Sequence, residues 1–295
     1  MRPTSSADAP YAALGVLSGN LLIDISAESR LAIRQSWMRF ANVQSVILTR
    51  FVLPCAGLGS DDVIAIEESV YGDIYCTTHP RCSEGRCTPM LVLYLAWLAH
   101  ASATYPTAQY ICKINDDVFL HTPDIEMVLR SIPHEQVGNV FLGTFSYAVA
   151  HGQEDKSQMI LRRLSRLPSL ASSRHLLGRC NISRTSPGAW CAGPFPYSTG
   201  PFTALGFRVA RALGTSESAQ IEAHRLLLHQ PQALSRLSAS EDAWLGSAVW
   251  RHVGRTLAVE LRSLPRSAKA WFIDAHDFQA SSHAAAFRMN INYLK

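Results

Sequence analysis

Apolar and polar residues fall along the chain in blocks that predict strands and helices in turn. Residues 11–17 form a short apolar run with the length of a buried strand. Over 26–42 the spacing becomes helical: Leu31, Ile33 and Trp37 supply an apolar face, and Arg30, Arg34 and Arg39 a basic one. Residues 45–53, rich in Val and Ile, predict a second strand. Ile64 and Ala65 then precede the acidic pair Glu67 and Glu68, and Tyr71-Gly72-Asp73-Ile74 predicts a turn into an extended piece. Thr88-Pro89 has the form of a helix start, a capping side chain followed by proline at the first helical position. The helix it opens, to about residue 103, is apolar nearly all round and is therefore expected to be buried. Tyr105-Pro106 ends it, and residues 109–114 predict a strand with Asn115-Asp116-Asp117 at its carboxyl end. Thr122-Pro123 starts another helix by the same device, with Ile125, Val128, Leu129 and Ile132 on one face. Residues 140–142 predict a further strand. Residues 150–195, with many Ser, Arg and Pro, predict an irregular insertion. From Ser240 onward a helix is expected, then a strand-like stretch at 270–273.

Strands alternating with helices predict an α/β fold with a mixed, largely parallel sheet flanked by helices. With no repeat and no linker, residues 11–295 are expected to form one domain behind a tail at 1–10. Composition agrees: of 295 residues, 47% are apolar and 17% charged, enough to bury a core. A net charge of +4 is too diffuse to argue for nucleic acid. The apolar run at 90–99 covers roughly 15 Å as a helix, about half a bilayer core. Residues 1–10 have no hydrophobic signal region. Seven cysteines allow up to three disulfides with one thiol left over, and their pairing is not legible. Cys82 and Cys87 are spaced more widely than a zinc knuckle requires, and Cys180 and Cys191 bracket a loop-like stretch. Disulfides are favoured over a metal at these positions. Asn181-Ile182-Ser183 is a glycosylation sequon.

The densest chemistry lies in Lys113-Ile114-Asn115-Asp116-Asp117-Val118-Phe119. Carboxylates at the end of a parallel strand sit where α/β sheets place their ligands. Two adjacent acids beside a buried strand are costly unless a cation occupies them. Hard oxygen donors suit Mg²⁺ or Mn²⁺, which clamp diphosphates. The plainer alternative is a capped turn, since Asn and Asp favour turns.

Five segments in order resemble the β-1,3-glycosyltransferase family that includes galactosyl-, N-acetylglucosaminyl- and fringe-type transferases. They are Arg30-Leu31-Ala32-Ile33-Arg34-Gln35-Ser36-Trp37; Glu68 with Tyr71-Gly72-Asp73-Ile74; the long helix with Trp97 leading to the strand that ends in Asn115-Asp116-Asp117-Val118-Phe119; Tyr197-Ser198-Thr199-Gly200; and Glu241-Asp242 followed by Gly246. The resemblance implies a GT-A type, Rossmann-like fold. It also implies a UDP-sugar donor, Mn²⁺ or Mg²⁺ as cofactor, and inverting transfer of a hexose or N-acetylhexosamine to a sugar hydroxyl of a glycan, glycoprotein or glycolipid. In the family the last acid of the D-x-D segment holds the metal, and it maps to Asp117. Three departures stand out: Asn115 replaces the first acid, Met90 stands where the family commonly has lysine, and Pro201, Phe202 and Thr203 follow Gly200 in place of a small residue and an aromatic.

Inversion in one step needs a base for the acceptor's proton. The candidate is Asp242, in the first turn of a helix capped by Ser240, where the helix dipole favours a carboxylate. Glu241 and Asp242 alternatively only stabilise the helix start. The resemblance further implies a C-terminal histidine as metal ligand, which maps to His276, with His252 and His283 as alternatives. Arg30 and Arg34 either reach the nucleotide, since arginine suits phosphate, or form the exposed face of their helix. Tyr71 and Asp73 are candidates for the uridine pocket, and Asn115, Asp116, Gly200 and Glu241 for the nucleotide-sugar site. Family members are usually anchored by one N-terminal helix in the Golgi membrane with the catalytic domain in the lumen; no such anchor stands in this sequence. A degenerate, non-catalytic member that binds sugar or a protein partner is the alternative, suggested by Asn115, Met90 and Phe202. A kinase or nucleotidyltransferase is disfavoured, because no phosphate-cradling glycine loop is present.

Overall fold

The computed structural model describes residues 9–18, 23–56, 62–80, 90–153, 156–164, 189–199, 201–229, 241–254, 256–264 and 272–274. A first run of alternating elements comprises β1 (Ala12–Leu17), α1 (Ile23–Gln35), β2 (Ile47–Ala56), α2 (Val63–Tyr71), β3 (Ile74–Pro80), α3 (Met90–Thr104) and β4 (Tyr110–Asn115). Then come β5 (Val118–Leu120), α4 (Thr122–Arg130), β6 (Val140–Gly143), β7 (Phe145–Gln153), β8 (Lys156–Leu164), β9 (Ala189–Ser198) and β10 (Phe202–Gly206). The remaining elements are α5 (Phe207–Gly214), α6 (Glu217–His229), α7 (Glu241–Ala248) running into a π turn at Val249–Val253, β11 (Glu260–Ser263) and β12 (Phe272–Asp274).

The main sheet has seven strands in the order β11-β6-β10-β4-β1-β2-β3. β3, β2, β1 and β4 are mutually parallel; β10 runs against β4 and β6, and β11 is parallel to β6. This is the mixed, largely parallel α/β sheet flanked by helices that the GT-A, Rossmann-like expectation describes. β1 lies inside the sheet between β4 and β2, and every residue in it is buried, as a parallel strand covered on both faces must be. Its alternate residues feed two cores. Ala13 and Leu17 join Leu93, Trp97, Ile111, Leu205 and Trp244 on one face of the sheet. Ala12, Leu14 and Val16 join Ile33, Trp37, Cys112, Ile125 and Leu129 on the other. Gly15 permits a close helix approach: a Cβ there would stand 2.7 Å from the Trp97 ring. Trp97 in turn donates its indole N–H to the Cys112 carbonyl at 3.0 Å. The α3 helix is buried nearly all round, as its composition predicts.

Several expectations are corrected. α1 ends at Gln35 rather than near residue 42, because the Ser36 hydroxyl bonds back to the Ala32 carbonyl at 2.7 Å and a short 3-10 turn, Trp37–Arg39, follows. The faces of α1 are also reassigned: Arg30 is 1% exposed and Leu31 is 41% exposed. The acidic stretch 63–71 is helical, with Gly72 at φ 63° closing it, as the left-handed position after a helix favours glycine. Thr122 does not cap α4; its hydroxyl instead pairs with the Asn42 side chain at 2.7 Å. The region 150–195 is not irregular where it is described: β8-β7-β9 is a three-stranded antiparallel sheet. Among the described residues no helix is long and apolar enough to cross a membrane. The expected helix starts at Thr88 and Ser240 and the sequon at Asn181 lie outside the described residues, as do Cys82, Cys87 and Cys180.

A disulfide joins Cys55 at the end of β2 to Cys76 in β3, and Cys112 is a buried free thiol. The bridge closes a chain segment of 21 residues across two neighbouring parallel strands. Cys76→Ser is therefore expected to lower unfolding free energy by about 2–4 kcal/mol, read from the urea midpoint under oxidising conditions. An unchanged midpoint would mean that the bridge contributes nothing.

Candidate active site

The strand order reverses direction on either side of β1: the chain builds β2 and β3 on one flank and β4 on the other. In an open α/β sheet the crevice outside the carboxyl ends at such a switch point is where ligands bind. Here those ends carry Ser18 after β1 and Asn115-Asp116-Asp117 after β4, with Leu17 paired to Asn115. The Ser18 hydroxyl donates to Asp116 Oδ2 at 2.6 Å. Burial pushes the Asp116 carboxyl up from its ordinary range, and the charge of Asp117 adds to that; Ser18 and Arg30 pull the other way without cancelling it.

Behind the acids lies a network of buried charges. Arg30 meets Glu67 with two bonds, Nε to Oε1 at 2.8 Å and a terminal nitrogen to Oε2 at 2.6 Å. Its other terminal nitrogen donates to Ser18 Oγ at 3.2 Å. Arg34 binds Asp73 with two bonds at 2.8 and 2.6 Å and reaches Glu67 Oε1 at 2.6 Å. The Tyr71 ring covers the Arg34 guanidinium at 4.0 Å, and Phe51 lies at 4.7 Å. Burial pushes the Glu67 carboxyl up, but the hydrogen bonds and charges of Arg30 and Arg34 outweigh it and hold the group below its ordinary value. The segment from Arg30 to Trp37 thus has a physical task at most of its positions. Arg30 and Arg34 join α1 to α2, Ile33 fills the core, Ser36 ends the helix, and Trp37 donates to the Val118 carbonyl at 3.2 Å, next to Asp117. Glu68 Oε2 accepts the Ile74 N–H at 2.6 Å and so fixes the turn into β3.

On the opposite flank Lys113, 2% exposed within β4, forms an ion pair with Asp242 Oδ1 at 3.0 Å. The side-chain period of two puts Lys113 and Asn115 on the same face of β4. Asp242 stands in the first turn of α7, one helical turn before Gly246. A Cβ on Gly246 would collide with the Pro196 carbonyl and stand 2.5 Å from Tyr197 Cβ, so glycine lets α7 lie directly on β9. The Tyr197 and Glu241-Asp242…Gly246 segments are thereby two sides of one contact.

The structure gathers Asn115, Asp116 and Asp117 at the strand end, Asp242 against the same strand, and Arg30, Arg34, Tyr71 and Asp73 behind them. Neither arginine is an exposed helix face; both guanidinium groups are committed to carboxylates. His252, considered as a metal ligand, is engaged instead by Glu222 at 3.3 Å and Ser218 at 3.0 Å. Gly200, His276 and His283 lie outside the described residues, and Glu241 is placed only as the first residue of α7. Asp274, two residues before His276, pairs with Val118, the residue after Asp117. Sequence reasoning missed Ser18, Glu67 and Lys113. A lysine inside an apolar strand was the available signal for the last; a serine closing a wholly apolar strand was a fainter one.

Among the described residues no group of three or more His, Cys, Asp and Glu side chains gathers as a preformed metal cage. The donor set at the strand end nonetheless fits a hard divalent ion. Mg²⁺-type ions are commonly held by one or two carboxylates together with substrate phosphates.

About half of the chain is similar to known glycosyltransferases. Residues 28–164 match the Galactosyltransferase family model. The chain is 28% identical over 142 residues to human UDP-GlcNAc:betaGal beta-1,3-N-acetylglucosaminyltransferase 8, covering 47% of this chain and 33% of that protein. It is 29% identical over 148 residues to mouse N-acetyllactosaminide beta-1,3-N-acetylglucosaminyltransferase 2, covering 48% and 35%. The match thus spans about a third of the length of each curated relative. Among solved structures, CMP:2-keto-3-deoxy-manno-octonic acid synthetase complexed with CTP aligns over 96% of this chain and 100% of its own, with 11% identity and a TM-score of 0.40. Mannose-1-phosphate geranyltransferase from Thermus thermophilus aligns over 87% and 73%, with 13% identity and a TM-score of 0.36. Likeness at that level carries no functional argument.

The Glu67 network has a pH signature. Because the folded carboxyl lies below its ordinary value of 4.5, its contribution to stability is present above that pH and lost as pH falls through the depressed folded value. Glu67→Gln leaves two guanidinium groups without that carboxylate and is expected to cost about 3–5 kcal/mol at neutral pH. Urea unfolding of both proteins from neutral pH down to about pH 3 should show the difference shrinking with acid. A difference that stays constant would contradict the assignment.

Proposed function

We propose, from the premise that residues 28–164 are related to the galactosyltransferases of the β-1,3-glycosyltransferase family, that this chain is an inverting, UDP-sugar-dependent transferase. It moves a hexose or N-acetylhexosamine to a hydroxyl of a glycan and forms a β-1,3 linkage. The observation that carries the reading is the meeting, at one end of β4, of the acidic segment and of Asp242, tied to that strand through Lys113 at 3.0 Å. The names of the two curated relatives favour N-acetylglucosamine as the sugar moved.

In this reading Asp242 takes the proton of the acceptor hydroxyl as its oxygen attacks the anomeric carbon. The new carbon–oxygen bond forms as the bond to the diphosphate breaks, and UDP departs with the electron pair. Asp117, with His276, would hold Mn²⁺ or Mg²⁺, and Asn115 and Asp116 flank the nucleotide. When bound, that ion offsets the negative charge developing on the diphosphate. Lys113 holds one oxygen of Asp242 and so sets the start of α7 against β4. Arg34 and Asp73 shape the floor under Tyr71, where the uridine is expected. Glycoprotein and glycolipid glycans are the acceptors this chemistry suits. The Cys55–Cys76 disulfide favours an oxidising compartment, in keeping with a Golgi lumenal domain.

The second reading, a family member that binds without turnover, is favoured by one observation: Asn115 stands at the first metal-side position and brings no charge. Release of UDP from a panel of UDP-sugars with Mn²⁺ separates the two. Turnover by the native chain, loss of at least about a hundredfold in Asp242→Asn, and retained UDP binding in that variant support the transferase. Turnover only after Asn115→Asp supports the second reading. An Asp242→Asn variant as active as wild type contradicts the base assignment.

A further inference from the structure

Ser18 belongs to none of the segments that carry the family likeness, yet it touches both the buried charges and the acid pair. It is 1% exposed. Its hydroxyl accepts from Arg30 at 3.2 Å and donates to Asp116 Oδ2 at 2.6 Å. The polarity of this chain is forced. A guanidinium has no acceptor, so the serine oxygen must accept from Arg30, and the single hydroxyl proton is then available to Asp116. Arg30 in turn is held by both oxygens of Glu67, and Glu67 is shared with Arg34, which Asp73 grips at 2.8 and 2.6 Å. The result is an unbroken series of charge-assisted bonds from the turn before β3 to the end of β4. Its two ends lie at β3 and β4, which share no strand pairing, since β1 and β2 lie between them.

We infer that Ser18 is a positioning residue: through its hydroxyl the Arg30–Glu67 pair fixes the orientation of the Asp116 carboxylate, and with it the affinity of the strand end for a nucleoside diphosphate and its divalent ion. The inference rests on the functional reading above and deepens it. It explains how a chain with Asn115 at the first position keeps an ordered acidic site: part of the order is supplied from β1 and α1. Short hydrogen bonds to an ionised group are among the stronger ones, and their alignment with fixed neighbours reinforces them. Neither Arg30 nor Ser18 needs to touch the ligand for this to hold.

The test is a double-mutant cycle of Ser18→Ala and Asp116→Asn, read as the dissociation constant of UDP in the presence of Mn²⁺ by titration calorimetry, with circular dichroism as a check of folding. Ser18→Ala is expected to weaken binding by about tenfold in the wild-type background. In the Asp116→Asn background the same change is expected to alter binding by less than about twofold, because the group through which Ser18 acts has been changed. If Ser18→Ala leaves too little folded protein, Ser18→Cys runs the same cycle with the volume kept and the strong donor removed. Equal effects of the serine substitution in both backgrounds, or no effect in either, overturn the inference while leaving the transferase reading intact. A wild-type chain that binds no UDP with Mn²⁺ overturns both.

Discussion

Arg30 is a charge held at 1% exposure, and the fold can keep it there only because Glu67 meets it with both oxygens. That constraint organises the amino-terminal half of the sheet. It fixes α1 to α2, orders the end of β1 through Ser18, and brings in Arg34 and Asp73 to complete the neutralisation. A pair of buried ions is a poor source of stability compared with apolar packing, so its retention is better understood as a device for geometry. The geometry in question is that of the acid pair at the end of β4.

The two halves of the chain reach that strand end by different means. From the amino-terminal side the contact is ionic and runs through Ser18. From the carboxyl-terminal side it depends on close packing, with Gly246 letting α7 lie on β9 and Lys113 catching Asp242. β12 adds a third approach by pairing with β5 directly after Asp117. Asp242, the acidic strand end and β12 are thus drawn together from elements far apart in sequence.

Much of this was legible in the residues. The central strands announced themselves as short apolar runs, and α3 as a helix apolar all round, because burial on every side leaves an unmistakable pattern. Asn115-Asp116-Asp117 stood out for the cost of placing acids beside a buried strand. Other features were hidden for physical reasons. Arg30 read as a nucleotide contact or an exposed face, not as a buried ion, because its neutralising partner Glu67 lies 37 positions away, and no local period reveals a long-range ion pair. α2 was missed because its outward side is apolar: Val63, Ile66 and Val70 are all more than half exposed. The β8-β7-β9 sheet was masked by a composition of Ser, Arg and Pro that resembles loops. Lys113 was passed over because a charge within a strand shows its meaning only when Asp242, on another element, is brought against it.

The central claim is that the carboxylates at the end of β4 seat a nucleoside diphosphate through a divalent ion. Calorimetric titration of UDP into the native chain and into Asp117→Asn, each with Mn²⁺ and with a chelator, tests it most directly. The account predicts saturable binding to the native chain that requires Mn²⁺ and weakens by at least about tenfold in Asp117→Asn. Binding of equal strength with chelator, or unchanged in the variant, would contradict it.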